Sequence, residues 1–340
     1  MNAVRESSAV EGQQSPEEAR LEGARVLVTG GAGFIGGRLV AALLEAGAEV
    51  VVADQRPHPD PAVRSVVGDL CDPDVRKRAV GTGPDGIVHL AAATSVLRSI
   101  EDPAGVYRLN VEATAGLLEL AREQAVRRVV FASTNAVTGD VGDAPINERV
   151  PLRPLTPYGA TKAAAEMLLS AYSGVYGMRA CALRFANVYG PGMRHKDSFV
   201  PRLMRAAATG TGVQVYGDGR QVRDYVHVDD IVQAVLLAWR KGVTGPLVVG
   251  SGRSTSVNDL IEIAREVTGA PIPVEHVPPK AGEMPAVVLD ISAARALGYE
   301  PRHDLRSGLA TVWPDFAPAH RTGEGGAHGA SEESGGRVES

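Results

Sequence analysis

Cysteine is scarce in this chain of 340 residues, and its scarcity excludes two ways of organising a fold. The two cysteines, Cys71 and Cys181, form no CxxC pair and have no histidine at a metal-ligand spacing. We therefore expect neither a disulfide framework nor a zinc cluster, and the sequence predicts no metal site. A reducing, cytoplasmic location fits this cysteine usage.

The chain also lacks blocks of like charge and long apolar runs. The formal net charge is −5, and acidic and basic residues are interspersed along the chain. There is no broad basic field for nucleic acid or an anionic membrane, so neither is expected as a partner. No apolar run approaches the roughly 20 residues that span a bilayer. Residues 1–23 are polar and charged, unlike a signal peptide or a membrane anchor.

Aromatic residues make up only 4% of the chain, yet 44% is hydrophobic, which is enough for one large or two modest cores. Short β-branched runs alternate with longer apolar-periodic segments, a pattern typical of βαβ units on a parallel sheet. Strands are predicted over 25–29, 49–54, 64–67, 86–90, 128–133 and 179–184. Helices are predicted over 34–46, 104–124, 157–176, 229–239, 257–268 and 297–312. The predicted fold class is α/β, a doubly wound parallel sheet of the Rossmann type with a smaller C-terminal lobe.

The regular alternation of predicted strands and helices loosens after residue 190, and this change predicts the domain boundaries. We expect a flexible extension at 1–23, a Rossmann domain at 24–190 with crossings to a second lobe, and that lobe mainly at 191–316. Residues 317–340 are rich in Gly, Ser and Glu and are predicted to be a disordered tail. The substrate cleft should then lie between the lobes, beyond the carboxyl ends of the strands.

A glycine-rich turn joins the first predicted strand to the first predicted helix, in the segment from Gly30 to Gly36. Its glycines allow a pyrophosphate to approach the backbone, and the helix N-terminus offers free N–H groups to it. Asp54 ends the second strand, where a carboxylate can accept hydrogen bonds from an adenosine ribose and repel a 2′-phosphate. NAD is therefore favoured over NADP. Arg56 could pair with a 2′-phosphate, although a solvated loop arginine is the preferred interpretation.

Tyr158 and Lys162 lie four residues apart at the start of a predicted helix, which Thr156 and Pro157 begin. A tyrosine that acts as a base at neutral pH must lose about three pKa units, which is about 4 kcal/mol. A cation at about 4 Å contributes roughly this much at an effective dielectric of 20. In isolation an exposed Tyr and Lys would be the better interpretation, but their position after a Rossmann half favours catalysis.

With these motifs the chain resembles the extended short-chain dehydrogenase/reductase superfamily, in its NAD-dependent epimerase/dehydratase branch, and within it the UDP-sugar 4-epimerases. The resemblance covers nearly all of residues 24–309. Further motifs that carry it are GDL at 68–70, HLAA at 89–92, LRFANVYGP at 183–191, and YGDG and RDYVHVDD between 216 and 230.

The resemblance implies roles for individual residues. Asp69 should meet the adenine, Ala91 should line the cofactor channel, and Ser133 should end its strand beside the nicotinamide. The implied NAD-binding set is Gly30, Gly33, Phe34, Ile35, Gly36, Asp54, Asp69, Leu70, Leu90, Ala91, Ala92, Ser133, Tyr158 and Lys162. The implied substrate-binding set is Thr94, Thr134, Asn135, Tyr158, Asn187, Arg194, Val200, Val215, Tyr216, Arg223, Lys280, Glu283 and Val287.

Two members of the substrate set have a bland alternative. Asn187 and Arg223 match family positions that hold the nucleotide diphosphate, and Tyr216 matches an aromatic residue that stacks on the base. Arg223 could instead form a salt bridge with Asp224 or Asp230, and Tyr216 could simply pack in the core.

The implied reaction is 4-epimerisation of a UDP-hexose. Tyr158 takes the proton of the sugar 4-hydroxyl while hydride leaves C4 for NAD, Thr134 orients that oxygen, and Lys162 holds the phenolate and the nicotinamide ribose. Related dehydratases carry Asp-Glu after the catalytic Thr, and related decarboxylases keep the Glu. Here the two residues are Asn135 and Ala136, so both reactions are disfavoured.

Substrate choice depends on fewer residues. Val287 matches a position that is Tyr or small in UDP-galactose 4-epimerases, and it predicts a roomy pocket. Arg194 aligns with an Arg of UDP-glucuronate 4-epimerases that could pair with the C6 carboxylate; a solvated or phosphate-contacting residue is an equal alternative. UDP-glucuronate is slightly favoured, with UDP-glucose or UDP-N-acetylglucosamine next. Thr138 and Lys280 depart from the family pattern, and Lys lacks the bidentate fork of Arg.

Two alternative functions remain open, and the resemblance also implies an oligomeric state. A reductase would consume reduced cofactor at each turnover, and a dinucleotide-sensing regulator would keep the glycine turn but tend to lose the Tyr/Lys pair. The family further implies a homodimer through the helices near 104–124 and 157–176.

Overall fold

The computed structural model describes residues 19–278 and 286–318, and all elements named below lie in these ranges. The strands are β1 Arg25–Thr29, β2 Glu49–Asp54, β3 Arg64–Val67, β4 Gly86–His89, β5 Arg128–Thr134, β6 Arg179–Phe185, β7 Asn187–Tyr189, β8 Val213–Tyr216, β9 Val222–His227, β10 Gly245–Val249, β11 Ser254–Ser256 and β12 Val274–Val277. The helices are α1 Phe34–Glu45, α2 Pro73–Val80, α3 Val96–Glu101, α4 Pro103–Tyr107, α5 Ala113–Glu123, α6 Pro157–Tyr176, α7 Phe199–Thr209, α8 Val228–Lys241, α9 Val257–Thr268, α10 Ser292–Ala296 and α11 Leu305–Val312.

Within the described residues, the central sheet has the order β10-β6-β5-β4-β1-β2-β3, and every neighbouring pair is parallel. The strands are covered on both faces, which is why their sequences are almost continuously apolar. One apolar cluster joins the sheet to α1 and α8, and another joins its opposite face to α2, α5 and α6. The predicted α/β doubly wound fold is confirmed. The strand order reverses between β1 and β4, where such sheets form their binding crevice.

The second lobe contains the remaining two sheets, β11-β9-β7 and β12-β8. A third apolar cluster packs them with α7, α9 and α11. Although β10 and α8 follow residue 190, β10 pairs with β6 and α8 packs on the core of the first lobe. The chain therefore returns to the Rossmann lobe after entering the second one.

Three sequence expectations need correction. The helix predicted over 104–124 is broken by a π-helical turn at Arg108–Glu112. The helix predicted over 297–312 starts only at Leu305, because Pro301 cannot continue a helix and Asp304 caps the new one. In the extension predicted to be flexible, Leu21 is buried and the Ala19 N–H donates to the Arg240 carbonyl. Residues 1–18 of that extension, and 319–340 of the predicted tail, lie outside the described residues.

Among the described residues, no helix combines the length and the apolar character needed to cross a membrane.

Candidate active site

A cavity of about 920 Å³ opens at the carboxyl ends of the central strands, between the two lobes. All the residues predicted to bind the cofactor line it. They come from the β1–α1 turn, the ends of β2, β4 and β5, the loop after β3 and the first turns of α6. The parallel arrangement brings these segments together because all the strands end at the same edge of the sheet.

The glycine turn leaves no room for a Cβ at Gly30 or Gly36. Gly30 has φ +72°, and a Cβ there would lie 2.8 Å from the Ala91 backbone nitrogen. A Cβ on Gly36 would collide with the Gly30 carbonyl oxygen. Gly33 caps α1 without a side-chain hydrogen bond, and the first turn of α1 carries no acidic residue. Its free N–H groups therefore fit a pyrophosphate.

The Asp54 carboxylate is held at the mouth of this turn. Its Oδ2 accepts from the Ala32 N–H at 3.1 Å, and its Oδ1 accepts from the Arg56 N–H at 3.3 Å. Asp54, Asp69 and Leu70 line the same end of the cavity. A glycine cradle with a fixed carboxylate beside it fits the pyrophosphate and adenosine ribose of NAD.

Tyr158, Lys162 and Thr134 meet where β5 ends and α6 begins. The Thr156 hydroxyl accepts from the Gly159 N–H at 3.1 Å and starts α6, so that Tyr158 stands in its first turn. Burial raises the pKa of Tyr158 to about 12, while a hydrogen bond with the Thr134 hydroxyl opposes that rise. The hydroxyls of Thr134 and Tyr158 are thus paired at the cavity wall.

Lys162 is buried beneath this pair. Its Nζ donates to the Ala132 carbonyl at 2.8 Å and lies 4.5 Å from the centre of the Phe131 ring. Burial lowers the pKa of Lys162 to about 7, against the attraction of Glu166. One cation at about 4 Å shifts a pKa by about three units. The charge of Lys162 would lower the pKa of Tyr158 towards neutrality, and this role of Lys162 stays a prediction.

Glu166 is a site residue that the sequence reasoning missed. It lies one turn beyond Lys162, is 8% exposed, and is held by Arg184 at 2.8 Å and by the Ser133 hydroxyl at 2.5 Å. Its charge raises the pKa of Lys162. The repeated spacing of four from Tyr158 through Lys162 to Glu166 was the available signal.

Asn110 was also missed, because periodicity predicted an unbroken helix there. It lies in the π-helical turn. Its side-chain oxygen accepts from the Ala93 N–H at 2.9 Å, and its side-chain nitrogen donates to the Ala93 carbonyl at 3.0 Å and to the Thr161 hydroxyl at 3.1 Å. These bonds join the loop after β4 to α6 next to Lys162. A π-turn at such a position is typical of functional sites.

Most residues predicted to bind the substrate share the cavity. Its lining includes Thr94, Thr134, Asn135, Tyr158, Asn187, Val200, Val215, Tyr216, Arg223 and Val287. Arg194 is exposed and lies outside the lining, whereas its neighbours His195 and Lys196 belong to it. Lys280 and Glu283 lie outside the described residues.

None of the acidic residues that line the cavity among the described residues directly follows β5 in the sequence. Among the described lining residues, the carboxylates are Asp54, Asp69 and Asp197. Thr134 is followed by a 3₁₀ turn that contains Asn135 and Ala136. The arrangement can move a proton through Tyr158, but it offers no second acid or base directly after Thr134.

A cluster of possible metal ligands, His227, Asp229 and His303, lies at the start of α8. Two of its groups have hydrogen-bond partners within the protein, since Arg38 donates to Asp229 at 2.6 Å and the His227 Nδ1 accepts from the Asp229 N–H, while the His303 ring stacks on His227 with 3.9 Å between the ring centres. The cluster fastens α8 to α1 and to the segment before α11.

Comparison with known proteins adds an independent line of argument. A model of the NAD dependent epimerase/dehydratase family matches residues 26–250. The UDP-glucose 4-epimerase of Mycolicibacterium smegmatis is 36% identical over 301 residues, which are 84% of this chain and 96% of that protein. The crystal structure of UDP-glucose 4-epimerase from Thermus thermophilus with NAD has 35% identity and a TM-score of 0.81, covering 86% of this chain and 98% of that one.

A third similar protein was solved with two different sugars. MoeE5 in complex with UDP-glucuronic acid and NAD has 39% identity and a TM-score of 0.78, covering 85% of this chain and 98% of that one. MoeE5 was also solved with UDP-glucose and NAD.

Proposed function

Because this chain belongs to the NAD dependent epimerase/dehydratase family, we propose that it interconverts the 4-epimers of a UDP-hexose. The observation that carries the proposal is the group of Thr134, Tyr158 and Lys162 at a cavity where Asn135 and Ala136 follow the threonine. Proton transfer at one hydroxyl is then available, whereas elimination of water would need further acids. Similar proteins named UDP-glucose 4-epimerase support the same reaction.

The chain's own residues control the proton of the sugar 4-hydroxyl. Tyr158 accepts this proton, Thr134 orients the oxygen by a hydrogen bond, and Lys162 stabilises the phenolate by its charge. When bound, NAD supplies the hydride acceptor for C4 and, in its oxidised form, a second positive charge near Tyr158. The 4-keto sugar then turns in the pocket, and Tyr158 returns its proton as the opposite face of C4 is reduced.

The glycine turn and Asp54 would hold NAD through its pyrophosphate and adenosine ribose. Retention of the cofactor through the whole cycle suits an epimerase, because each turnover regenerates it. On the other side of the cavity, Asn187 and Arg223 would hold the diphosphate of the substrate, and Tyr216 would stack on its base.

UDP-glucuronate is our preferred substrate, with UDP-glucose and UDP-N-acetylglucosamine next. The binding of both a glucuronate and a glucose nucleotide by MoeE5 supports this range. Val287 lines the cavity, and we expect its small side chain to leave room beside the sugar. Since Arg194 is exposed outside the lining, its pairing with a C6 carboxylate requires the segment after Gly190 to move on binding.

The test is an NMR assay of purified protein with each of the three nucleotide sugars, in which new anomeric signals report the 4-epimer. Tyr158→Phe should lower turnover by about 10²- to 10⁴-fold, the range of general acid–base catalysis. Tyr107→Phe, which alters an exposed tyrosine on α4, is the matched control.

Near-normal turnover of Tyr158→Phe would overturn the mechanism, and a requirement for added reduced cofactor would favour a reductase. Equal preference for glucuronate and glucose in Arg194→Ala and the parent would end the carboxylate role of Arg194.

We further propose that the enzyme is a homodimer. Apolar side chains remain exposed on α6, with Met167 66% and Val175 73% accessible, and on α3, with Ile100 60% accessible. Large apolar groups gathered on neighbouring helices are typical of a protein interface.

A further inference from the structure

A second cavity, of about 520 Å³, opens at the amino ends of the central strands, at the edge of the sheet opposite the candidate active site. Arg128 begins β5 and Arg179 begins β6, so the parallel sheet brings both to this edge. Arg20, Arg127, Asp85 and Trp239 contribute further walls. Arg128 and Thr134 are the first and the last of the seven residues of β5, which places them roughly 20 Å apart along the strand. The two cavities are therefore distinct.

Positive charge dominates this second cavity. Four arginines and one aspartate line it, and Asp85 Oδ2 already accepts from the Arg25 N–H at 2.7 Å. Among the described residues, the side chains of Arg20, Arg127 and Arg179 have no ion pair or hydrogen bond. Burial and the nearby charge of Arg179 lower the pKa of Arg128. A concave surface with like charges gathered in this way attracts an anion.

The donors of the cavity are partly fixed in advance. The Arg128 Nη1 donates to the Trp239 carbonyl at 3.0 Å, and the guanidinium lies 5.1 Å from the centre of the Trp239 ring. Trp239 is 2% exposed, and its Nε1 has no hydrogen-bond partner. A buried N–H without an acceptor is unfavourable, and an anion in the cavity offers one. Arginines that are held in position lose less entropy on binding an anion.

We propose that this cavity is a binding site for a small phosphate anion with two linked phosphoryl groups, of the class of inorganic pyrophosphate. The lining charge of four arginines and one aspartate matches such an anion, which carries about −3 near neutral pH because three of its four protons are lost by then and the fourth is lost only at alkaline pH. Arginine forks bind phosphate oxygens in pairs. The cavity volume lies in the range of small-molecule sites, about 300–1,000 Å³. The site adds a second ligand to the protein, away from the reaction.

The test measures binding of radiolabelled pyrophosphate to the full chain by equilibrium dialysis, with NAD present. The parent should bind it, and Arg127→Ala/Arg179→Ala should weaken binding at least about tenfold, as expected for loss of charge-assisted bonds. The double variant Arg64→Ala/Arg149→Ala removes the same charge from exposed positions elsewhere and should bind like the parent. Inorganic phosphate should bind at least about tenfold more weakly than pyrophosphate.

A competitor separates this site from the diphosphate subsite of the active site. Saturating UDP occupies that subsite and should leave pyrophosphate binding at the second cavity unchanged, because the two cavities share no lining residue. The proposal is overturned if UDP abolishes pyrophosphate binding, if the two double variants bind equally, if phosphate binds as tightly as pyrophosphate, or if the parent binds none. Each outcome is independent of whether the protein epimerises a sugar.

Discussion

Lys162 works in an environment that opposes its charge, and one buried carboxylate maintains it. Burial lowers the pKa of Lys162 to about 7, and Glu166 is the neighbour whose charge raises it. Arg184 and Ser133 hold Glu166 in position beneath α6. Glu166 therefore acts on Tyr158 only through Lys162, as a positioning residue.

Glu166→Gln should narrow the pH range of activity. Without the carboxylate, the pKa of Lys162 falls further, so Lys162 loses its proton at a lower pH. The alkaline limb of the kcat profile should move to lower pH, and kcat at neutral pH should fall by about 10-fold or more, with a smaller effect on KM. A pH series of the NMR assay measures both.

Glu166→Asp keeps the charge and is the matched control, which should retain most of the parent profile. Loss of one partner of a buried ion pair costs about 3–5 kcal/mol, so urea unfolding of both variants should accompany the kinetics. A Glu166→Gln variant with lower stability but an unchanged pH profile would mean that Glu166 has a structural role alone.

The β1–α1 turn offers a matched pair of substitutions in one helix. A Cβ on Gly36 would collide with the Gly30 carbonyl, whereas a Cβ on Gly37 would meet nothing within 4 Å. Gly36→Ala should destabilise the fold and weaken NAD binding, because the turn must open. Gly37→Ala should raise the unfolding free energy by about 0.5–1 kcal/mol, the preference of a helix for Ala over Gly.

Fluorescence titration with NAD and urea unfolding of the two variants check this prediction. Equal effects at the two positions would contradict the close approach of α1 to the Gly30 carbonyl.

The exposed face of α6 gives the second prediction at the scale of an element. Met167→Asp/Val175→Asp should shift the protein from dimer to monomer, because the interface would bury two unpaired charges. Light scattering after size exclusion measures the mass. Leu44→Asp, at an exposed apolar position of α1 on the other face of the sheet, should remain dimeric. A parent that is monomeric, or a variant that stays dimeric, would contradict the predicted interface.

At the scale of the whole molecule, acid should weaken the fold through a buried histidine. His89 lies between the Thr29 and Thr114 hydroxyls, and burial lowers its pKa to about 3. The unfolded chain takes up this proton near pH 6.5 and the folded chain does not, so stability is lost as the pH falls below 6.5. Between pH 6.5 and 5 the unfolding free energy should fall by about 1.5 kcal/mol from this group.

Urea unfolding at several pH values measures that slope. His89→Gln should reduce it, whereas His276→Gln alters an exposed histidine and should leave it unchanged. A slope that is the same in all three proteins would assign the acid sensitivity to other groups.

Local sequence by itself determined the glycine turn and six of the seven strands that the described residues place in the central sheet, whereas most of the cavity lining was assigned through the family resemblance. The strand β1, the helix α6 and the Asp54 position follow from periodicity, capping and turn chemistry, all of which act within a few residues. The same local rules failed at 104–124, because Asn110 forms its hydrogen bonds with Ala93 and Thr161, which are distant in sequence.

Tertiary structure alone decided the electrostatics and the second cavity. The pKa values of Tyr158 and Lys162 depend on how deeply packing buries them, and packing depends on residues from several strands and helices. The arginines at the amino edge come from segments that are far apart in the chain and meet only because parallel strands start side by side. Burial and juxtaposition are properties of the folded chain, so no local pattern encodes them.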